Sequence, residues 1–368
     1  MYKMFIITNY IKRYSIVFIF AFFAVISCQS PQAVKIDGLQ VEYLENPLGV
    51  DVQQPRFSWK MISDQRGISQ AACQLIVSES LHEVKKEVGT IWDSGKLTGN
   101  QTVNVDYAGA PLKSNRKYFW RVRVWLNDEE SVWSQPAFFQ TGILENSEWQ
   151  ARWITTREEI IHASPLLRKE FQVDKKIEQA VVYVTASGFY ELFLNGKKVG
   201  DHVLDPGVTD YRETILYSTY DVTSMLNKGA NVVGAMLGNG AFNMRKTQGR
   251  WSWGRGGAAL GNPALIMQLH ITFTDGSQSV IISDETWKTA EGPITFNNLY
   301  GGEDYDARKE LPGWSASGFN DSEWQPVALA NEPGGKLKSQ LMPAIKVTNT
   351  LVPVKQTNPE PGVFLFDL

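Results

Sequence analysis

Three short stretches of the sequence carry polar and aromatic side chains that could bind a ligand. The first, residues 190–207, reads YELFLNGKKVGDHVLDPG. Its alternating leucines run into Asn195-Gly196, which predicts a strand entering a tight turn because Asn and Gly tolerate positive φ at little cost. Beyond that turn, Asp201 and His202 are more polar than a turn requires. The stretch is therefore either an ordinary β-turn or one wall of a binding site.

The second stretch, GRWSWGRGG, combines tryptophans with arginines. Trp251 and Trp253 alternate with Ser252 and are flanked by Arg250 and Arg255. In an extended chain both indoles lie on one side, and an aromatic face beside hydrogen-bonding cations suits a sugar. The alternative is that both tryptophans pack on their own domain. We favour packing, because tryptophan is usually highly buried.

The third stretch, GGEDYDAR, crowds Glu303, Asp304 and Asp306 around Arg308. Hard oxygen ligands at this density could bind calcium. A loop closed by an arginine–carboxylate pair explains the same residues, and we favour this structural interpretation.

Several function classes are excluded by what the sequence lacks. The four histidines, His82, His162, His202 and His270, are far apart, and there is no HExxH, CxxC, P-loop or GxSxG pattern. These patterns would mark metallohydrolase, nucleotide-binding and serine-hydrolase sites. Without the three cations of residues 1–27, the formal net charge of −3 becomes about −6. A nucleic-acid partner is not expected, since it would require a basic face.

The N-terminus predicts export. Basic residues precede the apolar run YSIVFIFAFFAVIS, which stops at Cys28 and suits a signal peptide better than a bilayer-spanning helix. VISC resembles a bacterial lipobox, so we expect Cys28 to be lipidated; a free thiol is the alternative. The chain would then be an exported lipoprotein of the periplasm or outer-membrane surface. Cys73, the other cysteine, is expected to be a small buried hydrophobe.

The elements that must position these stretches are predicted to be β-strands throughout. RFSWKM, CQLIVSE, TVNVDYAG, YFWRVRVWL and PAFFQTG have strand length and β-type composition. In YFWRVRVWL, Trp120, Val122 and Val124 share one face and the arginines the other. The only helix-like piece is SLHEVKKEVG. Strands resume after a connector anchored by Trp149 and Trp153.

The predicted organisation is therefore all-β, with two consecutive antiparallel sandwiches. Residues 331–343 read as a second connector, and the sequence ends on an apolar strand. The predicted segments are 1–27 as signal peptide, 28–35 as tether, 36–145 and 146–340 as the two sandwiches, and 341–368 as the start of a third β domain.

These stretches together resemble bacterial α-L-rhamnosidases. FSWKM, WDSGKL, YFWRVRVW and SVWSQPAFFQTG are similar to the fibronectin-III-like, immunoglobulin-type domain that opens those enzymes. LLRKEFQV, the run from YELFLNG to YSTYDVT, LGNGAFN, DETWK and GGEDYDARKELPGW resemble the jelly-roll-like sandwich that follows. PGVFLFDL is similar to the start of the next sandwich. The resemblance covers nearly everything from about residue 36 to residue 340.

The resemblance implies an activity and its location. Those enzymes remove terminal α-L-rhamnose with inversion, using two acids in an (α/α)6 barrel that follows the region where this sequence stops. The sequence is thus expected to be truncated before the barrel, and no catalytic residue is assigned in it. Rhamnose-containing glycans are the implied partners, in addition to a membrane reached through the lipid anchor.

The resemblance also implies an optional metal site. In some relatives the second sandwich binds rhamnose through calcium, held by an acid and an amide after the NG turn. Carried over, this makes Asp201 the calcium ligand and puts His202 where an Asn is expected. A neutral imidazole offers nitrogen where calcium prefers oxygen. Ala241 also replaces a tryptophan common in relatives. No cofactor is therefore required, and calcium is an option in the second sandwich.

Three hypotheses follow. The chain is the accessory, non-catalytic N-terminal part of an α-L-rhamnosidase, a free-standing carbohydrate-binding lipoprotein, or a structural spacer. The residues expected to bind sugar are Asp201, His202, Arg250, Trp251 and Trp253.

Overall fold

The computed structural model describes residues 34–64, 66–126, 129–130, 133–160, 162–251 and 259–368. Cys28, Ser252, Trp253 and Arg255 lie outside the described residues. Among the described residues the strands, in chain order, are β1 Lys35–Val41, β2 Leu48–Val50, β3 Arg56–Ile62, β4 Gln70–Ser78, β5 Trp92–Asp93, β6 Leu97–Thr98, β7 Val105–Asp106, β8 Lys117–Leu126, β9 Glu129–Glu130, β10 Ala137–Thr141, β11 Ile154–Thr155, β12 Pro165–Val173, β13 Ile177–Ser187, β14 Phe189–Leu194, β15 Lys197–Lys198, β16 Thr214–Asp221, β17 Gly229–Gly238, β18 Ala264–Phe273, β19 Gln278–Ile282, β20 Lys288–Glu291, β21 Ile294–Asn298, β22 Gly302–Tyr305, β23 Gln325–Pro326, β24 Ala328–Leu329, β25 Lys336–Ser339, β26 Lys355–Thr357 and β27 Leu365–Asp367.

Helical structure in the described chain is short. Helix α1 covers Leu81–Lys85, and single 3-10 turns cover Asn146–Glu148, Thr223–Met225 and Ala307–Lys309. The predicted helix in SLHEVKKEVG is thus confirmed. None of the helices described has the length and apolarity needed to cross a bilayer. The all-β prediction is confirmed.

The described chain separates into two compact units. The first contains residues 34–40, Arg56–Gly109 and Trp120–Ala137. The second contains Val41–Pro55, Ala110–Phe119 and Phe138–Leu368.

The first unit contains the three-stranded sheet β1-β3-β7 and the strands β8-β4-β5 of a second, seven-stranded sheet, in which β6 pairs with β4 and β9 with β8. The alternation in β8 is confirmed, because Trp120, Val122 and Val124 are all fully buried. Cys73 in β4 is buried and unpaired, as expected. The predicted strand in TVNVDYAG is reduced to two residues, since Asn104 has a φ of 54° and interrupts the extended backbone.

Aromatic rings fill the core of this unit. Phe57 and Trp120 meet edge to face with centroids 4.7 Å apart. The indole of Trp59 donates to Gln70 Oε1 at 3.1 Å, which satisfies its one polar atom. Burying a Phe side chain of this kind contributes about 1.5–3 kcal/mol relative to leaving it exposed.

The second unit contains a sandwich of two larger sheets. One has the order β24-β11-β18-β13-β16-β25, with β19 added to β18, and the other has the order β15-β14-β17-β12-β20-β23. The alternating residues of β14 face inward at Tyr190, Leu192 and Leu194 and join a hydrophobic core with β13, β17 and β18. Their outward neighbours, Phe189 and Glu191 among them, are partly exposed.

Two tight turns of this sandwich use positive φ, and the Asn195-Gly196 turn is as predicted. Asn195 and Gly196, with φ of 52° and 79°, join β14 to β15. Gly276, with φ of 79°, lies in the turn between β18 and β19. In both turns Asn or Gly adopts the positive φ that these residues tolerate at little cost.

Two features depart from the predicted antiparallel sandwiches with simple connectors. β25 pairs with β16 in parallel, with Thr214 opposite Lys336 and Tyr217 opposite Ser339. Residues 336–339 of the predicted connector are therefore an edge strand. β10 also pairs with β2 in parallel. Trp153, by contrast, anchors the earlier connector as expected, since it is buried.

Candidate functional site

The carboxylate of Asp205 is the centre of a buried polar network in the first candidate stretch. Only 4% of the residue is exposed. Its Oδ2 lies 2.7 Å from His202 Nδ1 and accepts from Ser218 Oγ at 2.8 Å and Tyr220 Oη at 2.9 Å. Its Oδ1 accepts from Gln340 Nε2 at 3.0 Å. Strand β16 supplies the two hydroxyls, and Gln340, 135 residues further along the chain than Asp205, completes the site.

This network holds Asp205 ionised. Burial by itself raises the pKa of Asp205, but hydrogen bonds from His202, Gln340 and Ser218 outweigh it and lower the pKa below its ordinary value. Burial raises the pKa of Tyr220 well above its ordinary value, so its hydroxyl stays protonated and donates. A buried carboxylate with this many donors is a structural anchor.

Asp201 has different surroundings from Asp205. Its side chain is 68% exposed, and its Oδ2 lies 2.9 Å from Lys346 Nζ. The hydrogen bond from Lys346 is the main reason that the pKa of Asp201 is lowered. His202 Nε2 is 4.0 Å from Asp201 Oδ1, while its Nδ1 is engaged by Asp205.

These surroundings give no support to a calcium site. Calcium takes six to eight oxygen ligands, and within the described part of the chain no three side chains of His, Cys, Asp or Glu gather in a metal-binding group. The nearest cationic partner of Asp201 is an ammonium. Asp201 as a calcium ligand stays a prediction, and His202 as a sugar ligand does too.

Arg250 and Trp251, from the second stretch, lie against the hairpin β21–β22. Arg250 Nη2 is 2.5 Å from Asp304 Oδ2, and its guanidinium carbon is 4.1 Å from the centroid of the Phe296 ring. Trp251 meets Tyr300 edge to face at 5.0 Å and remains 61% exposed. Trp251 is thus outside the core, and its role in sugar binding stays a prediction; Trp253 lies outside the described residues.

Two of the three acids of the third stretch, Asp304 and Asp306, are engaged by arginines. Arg308 donates to Asp306 through Nε at 2.8 Å and Nη2 at 2.7 Å, a bidentate pair. Asp304 pairs with Arg250. The predicted arginine–carboxylate pairing is thus confirmed, but the stretch is not a loop, because Gly302–Tyr305 forms strand β22.

An open cleft of about 520 Å³ brings parts of the candidate stretches together. Its floor is the outer face of β14 and β17, with Phe189, Glu191 and Met236, and its walls include Leu204 from the first stretch and Glu303 from the third. Tyr300, the partner of Trp251, follows Leu299 of the cleft wall. The volume falls in the range of small-molecule sites.

The chemistry of the cleft suits a ligand with both apolar and hydroxyl surface. Phe189 and Met236 present apolar area, and the Glu303 carboxylate can accept hydrogen bonds, whereas that of Glu191 is paired with Lys198 at 2.6 Å. Phe189 and Met236 were missed in the sequence. For Phe189 the available signal was the alternation along β14, whose outward positions are not used by the core.

Comparison with known proteins identifies both sandwiches. Residues 36–145 match the family model of the Rha78A-like N-terminal immunoglobulin domain, and residues 175–349 match that of the α-L-rhamnosidase N-terminal domain. An α-L-rhamnosidase of Formosa agariphila is 34% identical over 372 residues, covering 93% of this chain and 39% of that protein.

Solved structures agree with these matches. The α-L-rhamnosidase from Dictyoglumus thermophilum superposes with a TM-score of 0.83 at 39% identity, over 92% of this chain and 39% of that one. The Streptomyces avermitilis α-L-rhamnosidase complexed with L-rhamnose gives 0.82 at 26% identity, over 90% of this chain and 48% of that one. The chain thus spans less than half the length of these relatives. Through its two matched N-terminal domains, the chain belongs to the α-L-rhamnosidase family.

Proposed function

We propose that this chain is the accessory N-terminal part of an α-L-rhamnosidase, an enzyme acting on terminal α-L-rhamnose, and that it contains no catalytic residue of its own. The observation that supports this most directly is the consecutive match of residues 36–145 and 175–349 to two domain models that are both N-terminal in this family. Two acids of GGEDYDAR, Asp304 and Asp306, are engaged by Arg250 and Arg308, which gives no support to a catalytic pair there.

Hydrolysis of an aryl α-L-rhamnoside tests this proposal. The purified chain should release no more aryl alcohol than a blank containing heat-denatured chain. Turnover above that blank, abolished by a single substitution within residues 29–368, would contradict it. A substitution at Glu303 is the first to make in that case, because this acid lines the cleft.

A second candidate function is sugar binding in the cleft, which the apolar floor and the acidic residue Glu303 on its wall favour. The ligand that we propose is L-rhamnose or a glycan that ends in it, and the solved relative bound to L-rhamnose supports this choice. Calorimetry with L-rhamnose should show millimolar or tighter binding that weakens in Phe189→Ala. Val103→Ala, an exposed apolar residue of the first unit, is the matched control. Unchanged affinity in Phe189→Ala would remove the cleft as the site.

We also propose that the chain is exported and carries lipid on Cys28, which would place it at the periplasmic or outer-membrane surface. The support is the order of basic residues, apolar run and VISC in the sequence. Labelled palmitate should enter the wild type and Cys73→Ser but not Cys28→Ser. Cys73 is the control because it is buried. Equal labelling of Cys28→Ser would overturn the anchor.

A further inference from the structure

The loop of residues 199–207, here called the latch loop, holds the segment that leaves the second sandwich, residues 340–347, here called the exit segment. The amide of Val203 donates to the carbonyl of Ile345 at 2.9 Å. His202 and Lys346 form an antiparallel bridge, and Lys346 Nζ pairs with Asp201. Three successive residues of the latch loop thus engage two successive residues of the exit segment.

The other end of the exit segment is held by the same loop. Gln340 donates through Nε2 to Asp205 and accepts at Oε1 from the amide of Gly207 at 2.9 Å. Gly207 lies so close that a Cβ there would come within 2.4 Å of Met342 Cε. The latch loop and the exit segment therefore lie side by side from Gln340 to Lys346, and the buried Asp205 anchors the loop.

We propose that the Lys346 ammonium occupies the place beside Asp201 where a calcium ion would otherwise be expected. We also propose that the latch loop thereby fixes the direction of the exit segment. An ion pair within the chain restrains residue 346 to a position next to Asp201, which a free ion would not do. The antiparallel bridge between His202 and Lys346 brings Lys346 next to the latch loop. The His202 imidazole is already hydrogen-bonded to Asp205. This inference concerns chain geometry and does not depend on the proposed function.

Calcium titration tests the first half of the proposal. The midpoint of thermal unfolding of the purified full chain should be the same in EDTA and in millimolar calcium, because a ligand that binds only the folded state would raise it. A rise in calcium that disappears in Asp201→Asn would overturn the assignment of Lys346 as the cation.

Hydrogen exchange at the Val203 amide tests the second half, since this amide donates across the latch. Lys346→Met keeps the aliphatic stem and removes the charge, and it should speed exchange of Val203 several-fold. Lys346→Arg should restore slow exchange, and Lys355→Met, in the later strand β26, should leave it unchanged. An exchange rate in Lys346→Met equal to that of the wild type would show that the pair does not hold the exit segment.

Discussion

The latch loop and the hairpin β21–β22 are both polar in sequence, yet they place their polar groups in opposite ways. The latch loop turns Asp205 inward, where four side chains surround it. The hairpin leaves Tyr300 and its partner Trp251 exposed, and its Asp304 forms a surface ion pair. Polar composition therefore does not separate structural from binding residues; the burial of the groups does, because only a buried charge requires a full set of partners.

The largest expected effect that tests this contrast is the loss of the Asp205 carboxylate. Asp205→Ala leaves His202, Ser218, Tyr220 and Gln340 without their common partner, and we expect the free energy of unfolding to fall by about 3–5 kcal/mol. Urea unfolding measures it. Asp304→Ala, which removes an exposed pair, should cost no more than about 1 kcal/mol. Similar losses in the two variants would remove the distinction between the regions.

The next effect comes from backbone space in the latch loop. Gly200 has a φ of 71°, and a Cβ there would lie 2.4 Å from Tyr220 Cε1. Gly200→Ala should cost about 2–3 kcal/mol, since it combines left-handed strain with displacement of Tyr220 from Asp205. Gly276→Ala has a similar φ of 79° with no atom within 4 Å, so it isolates the strain alone. Thermal unfolding should rank Gly200→Ala clearly below Gly276→Ala.

A smaller effect is expected from pH. The pKa of Asp205 is lower in the folded chain than in the unfolded chain, so its stabilisation is complete above the unfolded value of about 3.9 and is lost as the pH falls through the folded value. The wild type should therefore lose more unfolding free energy than Asp205→Asn between neutral and acid pH. Parallel pH curves for the two proteins would mean that Asp205 is not stabilised as an anion.

The smallest effect on stability is expected at the exposed hairpin. Trp251→Ala removes a ring that is mostly in solvent and should change the free energy of unfolding by no more than about 0.5 kcal/mol. If the hairpin takes part in sugar binding, the same variant weakens L-rhamnose binding in calorimetry. A loss of stability as large as that of Gly200→Ala would instead place Trp251 among the packing residues.

Local features of the fold could be predicted from the sequence, and long-range ones could not. The Asn195-Gly196 hairpin and the inward face of β8 follow from residue type and period. The partners of Asp205 could not be predicted, because Gln340 lies 135 residues further along the chain. The buried Arg168 of LLRKEFQV, engaged by Asp321, was also not foreseeable from a strand pattern. Charge burial depends on a partner that only the folded topology supplies.

The two edge strands of one sheet in the second sandwich both come from a late part of the sequence. In the order β24-β11-β18-β13-β16-β25, both outer strands come from residues 328–339. Until that short stretch has been synthesised, β11 and β16 both present unpaired backbone groups, which is a template for association with other chains. A nascent chain that stalls before residue 339 would therefore expose two aggregation-prone sheet edges at once. Residues 328–339 cover both edges once they have been synthesised.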